Sequence, residues 1–236
     1  MNTVVAGLTA RALLGRRRAL LFLLLPVLLL GLAALVRWQG SRAAAVDLMN
    51  GFAAGTLIPL LAVIIGTGVI GPEIEDGAII YLLAKPIRRE SVVVSKLVVA
   101  VAALAAFGSV PLLLAGLLLP GLGTRLALGF AVGSLAAGVA YCALFLLLAV
   151  LTRHAVSIGL LYTLVWESLV GSFVPGARAL SVQQWGSALT KAVGNGTGWS
   201  PAVSVTTGAV CLTLLAVGCT VTAGRRLRSL RLTGDE

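Results

Sequence analysis

Residues 19–36 of the 236-residue chain read ALLFLLLPVLLLGLAALV, a run without a single charged side chain. A helix needs about 20 mostly apolar residues to cross about 30 Å of hydrocarbon, whereas a barrel strand alternates in polarity over about 10 residues. The run is continuous, so it predicts a membrane-spanning helix. It also exceeds the about 7–15 apolar residues of a signal sequence, so we expect it to be retained rather than cleaved.

The composition of the whole chain places it in the same class. Apolar residues make up 59% of it and charged residues 11%, and its mean hydropathy is +1.06. Soluble domains carry about 45–50% apolar and about 25% charged residues. We therefore predict an all-α membrane protein, with one transmembrane domain over residues 1–236. Six spans are predicted, at 19–36, 51–71, 97–119, 126–151, 155–174 and 202–222.

The basic residues indicate how the spans are oriented. Thirteen of the 18 lysines and arginines lie before span one, between spans two and three, between spans four and five, or after span six, and 5 lie on the other side. The positive-inside rule then puts both termini, the 72–95 loop and the 223–236 tail in the cytoplasm, and the 175–201 loop outside. Basic residues at helix ends meet anionic headgroups, so the net charge of +10 does not indicate nucleic-acid binding.

The sequence shows no motif for catalysis or cofactor binding. It lacks the phosphate loop G-x-x-x-x-G-K-[ST] and the zinc motif H-E-x-x-H. Cys142, Cys211 and Cys219 form no C-x-x-C pair, and His154 is the only histidine. We expect no catalytic site, no metal and no directly bound cofactor.

The most charged segment is GPEIEDGAIIYLLAKPIRRESVVVSK, residues 71–96. Acids that follow Pro72 suit a first helical turn, where they meet the positive end of the helix dipole. Ile74, Ala78, Tyr81 and Leu82 form one apolar stripe. The pattern predicts a short amphipathic helix on the cytoplasmic face, which could simply connect spans two and three. A capped, two-faced helix is better explained as a docking element for a soluble partner.

This segment resembles the cytoplasmic loop of ABC-2-type permeases, the membrane subunits of ATP-binding-cassette exporters. Ala78 stands where threonine is usual in that family. Residues 1–18 resemble the family's N-terminal elbow helix, and residues 166–185 resemble the end of span five and the loop beyond it. The residues that the resemblance would place against the ATPase are Glu73, Ile74, Glu75, Asp76, Gly77, Ala78, Tyr81, Leu82, Lys85, Pro86, Arg88 and Arg89.

The resemblance implies a multi-pass subunit of the bacterial inner membrane that is not itself an enzyme. Two soluble ATPase subunits would bind ATP and Mg, and the 72–95 loop would provide the coupling helix between them and the spans. A second permease copy or homologue would complete the pathway, and the largely apolar spans favour an amphiphilic or hydrophobic substrate. Two alternatives remain open. One is a non-transporting anchor or regulatory subunit of an ATPase complex, and the other is an ATP-independent carrier, which would need midplane ion-binding residues.

Glu167 is the one ionisable residue well inside a predicted span. A charge at the bilayer centre costs at least about 2.5–3.5 kcal/mol, so such residues usually face a cavity or a partner. Glu167 and the neighbouring Trp166 are therefore candidates for a substrate contact or an outer gate. The structural alternative is that Glu167 pairs with Arg178 or caps nearby backbone, while Trp166 belongs to the interfacial aromatic belt.

Small residues at helical spacing predict close helix packing. Gly51 and Gly55 lie in span two, and Gly129 and Gly133 in span four, where Ser134 and Gly138 continue the series. Such seams join helices in lipid, either between two permease copies or within one subunit. In the external loop, residues 181–193 predict a short helix that lies on or dips into the outer leaflet.

Overall fold

The computed structural model of the chain describes residues 7, 9, 15–71, 73, 89–170, 177–195 and 200–229. Every regular element in those ranges is a helix, which confirms the all-helical prediction. In chain order they are α1 (Arg16–Gln39), α2 (Arg42–Gly68), α3 (residues 89–118), α4 (Gly123–Leu151), α5 (residues 155–170), α6 (Val182–Gly194) and α7 (Val205–Ser229), with a 3₁₀ turn at Ala177–Leu180 before α6.

Five helices in the described part of the chain are long and apolar enough to cross a membrane: α1, α2, α3, α4 and α7. They coincide with five of the six predicted spans. The predicted elbow helix falls largely outside the described residues, because only 7, 9 and 15–18 of residues 1–18 belong to them. The elbow and the cytoplasmic placement of the termini therefore stay predictions.

The second span starts earlier than the apolar pattern predicts. Its helix begins at Arg42, where the Ser41 hydroxyl accepts a hydrogen bond of 3.3 Å from the Ala44 N–H and so caps the first turn. Asp47 interrupts the apolar run, which is why hydropathy alone places the start at residue 51.

Two helices widen into π-helical turns just before a proline. In α2 the wide segment is Leu48–Leu57, two residues ahead of Pro59, and in α3 it is Ala105–Ser109, two residues ahead of Pro111. A proline ring clashes with the carbonyl four residues earlier and supplies no N–H to it. In both helices that carbonyl lies inside the π segment, so the wider turn lets the helix continue past the proline.

The centre of the bundle is α4. In its apolar window 61% of the residues are buried, compared with 22% for α1 and 17% for α7. Its buried face includes Phe130, Tyr141 and Phe145, which pack among α2, α6 and α7. Large apolar side chains such as Leu24 on α1 and Leu214 on α7 are more than half exposed, as expected of helices that face lipid.

The predicted fifth span, 155–174, is described only over residues 155–170, which are helical throughout, so its full length stays a prediction. Within the described residues, its apolar stretch Ala155–Glu167 is shorter than the other candidate spans. After residues 171–176, which are not described, the chain continues into α6. With 13 residues, α6 rises only about 20 Å, less than the about 30 Å of a bilayer core.

The helix predicted over residues 181–193 is therefore present as α6, and it packs along α4 in the antiparallel sense. Near the start of α6, a Cβ on Gly186 would lie 2.9 Å from the Ala137 Cβ. At its end, a Cβ on Gly194 would lie 2.8 Å from the Leu126 side chain, close to the beginning of α4. Thus α6 starts halfway along α4 and runs back to the beginning of α4.

The glycines of α4 explain how the two helices come so close. A Cβ on Gly129 would lie 2.6 Å from the Thr190 carbonyl oxygen, and one on Gly133 would lie 2.6 Å from the Gly186 carbonyl oxygen. Side chains at those two positions would force the backbones apart. A Cβ on Gly138 would overlap the Leu104 side chain of α3. The predicted small-residue seam of α4 thus packs helices within one subunit and gives no support to dimerisation.

Candidate functional site

The predicted coupling segment is described only at its two ends. Glu73 is described, and Arg89 is the first residue of α3. The other predicted ATPase contacts lie outside the described residues, and they are Ile74, Glu75, Asp76, Gly77, Ala78, Tyr81, Leu82, Lys85, Pro86 and Arg88. The amphipathic helix and its contact with an ATPase therefore stay predictions.

At the base of that segment lies a buried ion pair. The Lys96 ammonium is 2.6 Å from the Glu73 carboxylate, and the lysine side chain is 0% exposed while that of Glu73 is 27% exposed. Lys96 Nζ also donates a hydrogen bond of 2.6 Å to the Val69 carbonyl oxygen. That carbonyl belongs to the turn that ends α2, where helices leave carbonyls without a backbone partner and favour positive charge. The Lys96 ammonium thus caps the C-terminus of α2 and neutralises the Glu73 carboxylate at the same time.

This contact ties the end of α2 to the start of α3, on the two sides of the charged loop. Removing one partner of a buried ion pair typically costs about 3–5 kcal/mol, because the other charge is left without compensation. The base of the loop is consequently a fixed point of the bundle. Sequence reasoning included Glu73 and Lys96 in the family pattern but missed their pairing. The sequence did contain a signal for this pairing: Glu73 lies just after span two, and Lys96 directly precedes span three, on the two sides of the same loop.

Glu167 belongs to α5, and its carboxylate lies against the N-terminus of α6. The residue is buried, with 4% of its surface exposed. The carboxylate accepts hydrogen bonds from the Val182 N–H at 3.2 Å, from the Tyr162 hydroxyl at 3.3 Å and from the Ser181 hydroxyl. Ser181 is itself the N-cap of α6, and its oxygen accepts a hydrogen bond from the Gln184 N–H. A carboxylate in this position meets the positive end of the α6 dipole.

These bonds connect α5 to α6 through the side chain of one residue. Tyr162 is held by aromatic packing, since its ring meets that of Phe145 on α4 edge-on with 6.3 Å between centroids. The start of α6 is further held by Gln183, whose amide nitrogen donates a hydrogen bond of 3.1 Å to the Asn50 carbonyl oxygen of α2. Sequence reasoning missed Ser181 and Gln183, because polar residues in a loop carry no periodic signal.

The bond from the Val182 N–H agrees with the backbone-capping interpretation of Glu167, and the other two donors are side-chain hydroxyls. The other suggested structural partner, Arg178, is exposed, and its pairing with Glu167 stays a prediction. Trp166 is half-buried beside Glu167, within the π-helical segment Tyr162–Val170. Segments of this kind recur at functional sites, but a substrate contact or gate at Glu167 and Trp166 stays a prediction.

The described residues offer no metal centre. Within them, no three His, Cys, Asp or Glu side chains lie close enough to share an ion. The cysteines are free, with Cys142 and Cys219 buried and Cys211 half-buried.

Comparison with known proteins places the chain in a family. No curated protein matches it. The sequence profile described as "ABC-2 family transporter protein" matches residues 16–221, a region that runs from the first residue of α1 into the last turns of α7. Permeases of this family are membrane subunits that work with ABC ATPases and do not themselves hydrolyse ATP. The chain is therefore a multi-pass membrane protein that belongs to the ABC-2 transporter family.

Proposed function

We propose that this protein is the membrane-spanning subunit of an ABC exporter. It moves an amphiphilic or hydrophobic substrate outward, and a separate pair of ATPase subunits hydrolyses the ATP. A second permease copy or homologue completes the pathway in the bacterial inner membrane, with both termini in the cytoplasm. Family membership supports the role of a transporter subunit, and the excess of basic residues at one end of the spans supports the orientation.

The observation that carries the mechanism is the Lys96–Glu73 ion pair. A partner that pushes on the 74–88 loop can move the spans only if the loop is attached rigidly to them. The ion pair and the bond to the Val69 carbonyl, each 2.6 Å long, hold both helices at the attachment point. Displacement of the loop would then be passed to α2 and α3 together, which is what a shift between two global conformations requires.

In this mechanism Glu167 holds α6 against α5 rather than serving as a free contact for the substrate. Its carboxylate is already occupied by three donors, and α6 fills the space along α4 from Ala137 to Leu126. Outward opening near Trp166 would require α6 to move, and Glu167 would then influence the gate through the position of that helix.

Retention of a co-expressed ABC ATPase tests the proposal. The protein is purified in detergent with the ATPase, as wild type and as the variants Glu75→Arg and Tyr81→Asp. Lys191→Asp is a matched control, because Lys191 is exposed at the other end of the bundle. We expect wild type and the control to retain the ATPase and the two loop variants to lose it, with all four eluting as folded monodisperse protein. Equal retention by the loop variants would contradict the docking role of the loop.

Direction and substrate class need a second measurement. The complex is reconstituted in proteoliposomes with a fluorescent amphiphile, and ATP is supplied on one side only. ATP-dependent movement away from the ATPase side is the expected result. ATP hydrolysis that no amphiphile stimulates, without any movement, would favour the anchor or regulatory subunit.

A further inference from the structure

The ends of α4 and α7 border a shallow, open groove that the proposed function does not use. It has a volume of about 460 Å³ and is lined by Leu147 and Leu151 of α4 and by Thr222, Arg225 and Arg226 of α7. The two leucines are one helical turn apart, and so are Thr222 and Arg226, so each helix presents one face to the groove. Among the described residues that line it, none is acidic.

The groove has an apolar floor and a cationic rim. Leu151 is 51% exposed, and Arg225 and Arg226 are exposed. The Thr222 hydroxyl donates to the Gly218 carbonyl oxygen at 2.7 Å, so this residue leaves its methyl group for the groove. Acyl chains could therefore lie against Leu147 and Leu151 while an anion meets the guanidinium groups.

The position of the groove along the helices fits the same ligand. Leu147 and Leu151 lie in the last turns of a 29-residue helix, and Arg225 and Arg226 lie in the last turns of α7. Exposed side chains at this end meet the boundary between hydrocarbon and headgroups. Basic pockets between transmembrane helices at this level are suited to anionic lipid headgroups, and arginine forms forked hydrogen bonds with phosphate oxygens.

We propose that this groove binds an anionic glycerophospholipid. Its phosphodiester pairs with Arg225 and Arg226, and an acyl chain covers Leu147 and Leu151. The inference depends on the protein lying in a membrane and not on its working with an ATPase, so it can fail or succeed independently of the exporter proposal.

Native mass spectrometry of the purified protein tests the inference. The protein is mixed with equal amounts of phosphatidylglycerol and phosphatidylcholine that carry identical acyl chains, and the ratio of the two bound lipids is measured. Each arginine near a headgroup contributes about fivefold to anionic-lipid binding, so R225Q/R226Q should lower the preference about 25-fold. The matched control R125Q/K191Q removes two exposed cations at the other end of the bundle and should keep the wild-type ratio.

A third variant separates the contribution of the apolar floor to lipid binding from that of the two arginine charges. Leu151→Trp fills the apolar floor and leaves both arginines, so it should lower the occupancy of both lipids. The proposal is overturned if R225Q/R226Q stays within about twofold of wild type, if the control loses as much preference, or if Leu151→Trp binds both lipids as wild type does. Loss of the ATPase from R225Q/R226Q with an unchanged lipid ratio would instead assign the arginines to the protein partner.

Discussion

Replacing Glu73 with alanine should reduce the free energy of unfolding by about 3 kcal/mol. The ammonium of Lys96 is 0% exposed, so without the carboxylate a positive charge stays buried, and its remaining partner among the described residues is the Val69 carbonyl. Breaking a buried pair in this way costs about 3–5 kcal/mol. We expect the lower end of that range, because the Glu73 side chain is 27% exposed and the site is therefore not fully closed to water.

Replacing Lys96 with methionine should cost less, about 1–3 kcal/mol. Methionine fills most of the volume of the lysine stem, and the remaining acid, Glu73, is 27% exposed whereas Lys96 is fully buried. The main loss is the unpaired carbonyl of Val69, a buried acceptor that the lysine satisfies. The double variant Glu73→Ala/Lys96→Met has no buried charge, so it should be more stable than Glu73→Ala alone. The two substitutions would then be coupled by about 2 kcal/mol or more.

Unfolding in mixed micelles with increasing SDS, followed by the fluorescence of the 4 tryptophans, gives these free energies. Asp47→Ala is the matched control, because Asp47 is an exposed acid on α2. It should change the stability by no more than about 0.5 kcal/mol. The interpretation is refuted if Glu73→Ala costs less than about 1 kcal/mol, or if the double variant is less stable than Glu73→Ala.

The same unfolding assay checks three further predictions. Gly133→Ala should destabilise by about 1–3 kcal/mol because its Cβ would lie 2.6 Å from the Gly186 carbonyl oxygen. Gly218→Ala, with nothing within 4 Å of the new Cβ, should gain up to about 1 kcal/mol from helix propensity, and equal effects at the two glycines would contradict the seam. Glu167→Ala should cost about 1–3 kcal/mol for each buried donor that it leaves unpaired, and Glu167→Gln, which keeps an acceptor, should cost less; no difference between them would argue against the capping role. Ser181→Ala should cost about 1 kcal/mol as the loss of an N-cap, and this loss should persist in the Glu167→Ala background, because the Ser181 oxygen caps the Gln184 N–H independently of Glu167.

The long apolar helices could be predicted from the sequence because continuous hydrophobic runs have few other structures in a membrane. The start of α2 could not, since Asp47 and Asn50 lower the local hydropathy although Ser41 caps a helix that contains both. The fifth predicted span is described only as far as residue 170, so its length stays a prediction. An apolar run identifies residues that avoid water, but it does not say whether one helix carries them all the way across.

Contacts between distant residues were the harder part of the candidate site. The charges of Glu73 and Lys96 are visible in the sequence, but 23 residues separate them and only the packing of α2 against α3 brings them together. The glycines of α4 predicted a close approach without naming the neighbouring helix. That neighbour, α6, contains Gln183, Gln184 and Lys191 and is too short to be recognised as a span.

The shortness of α6 has a consequence for how the protein is made. A segment of 13 residues with polar side chains is a poor substrate for direct insertion by the translocon, which selects for about 20 apolar residues. Much of its packing surface is provided by α4 and by α7, which is synthesised after it. We therefore expect α6 to enter the bilayer late in biogenesis, once the C-terminal helix has been released. Truncated chains that end before Val205 should leave α6 accessible to protease, and the full chain should protect it.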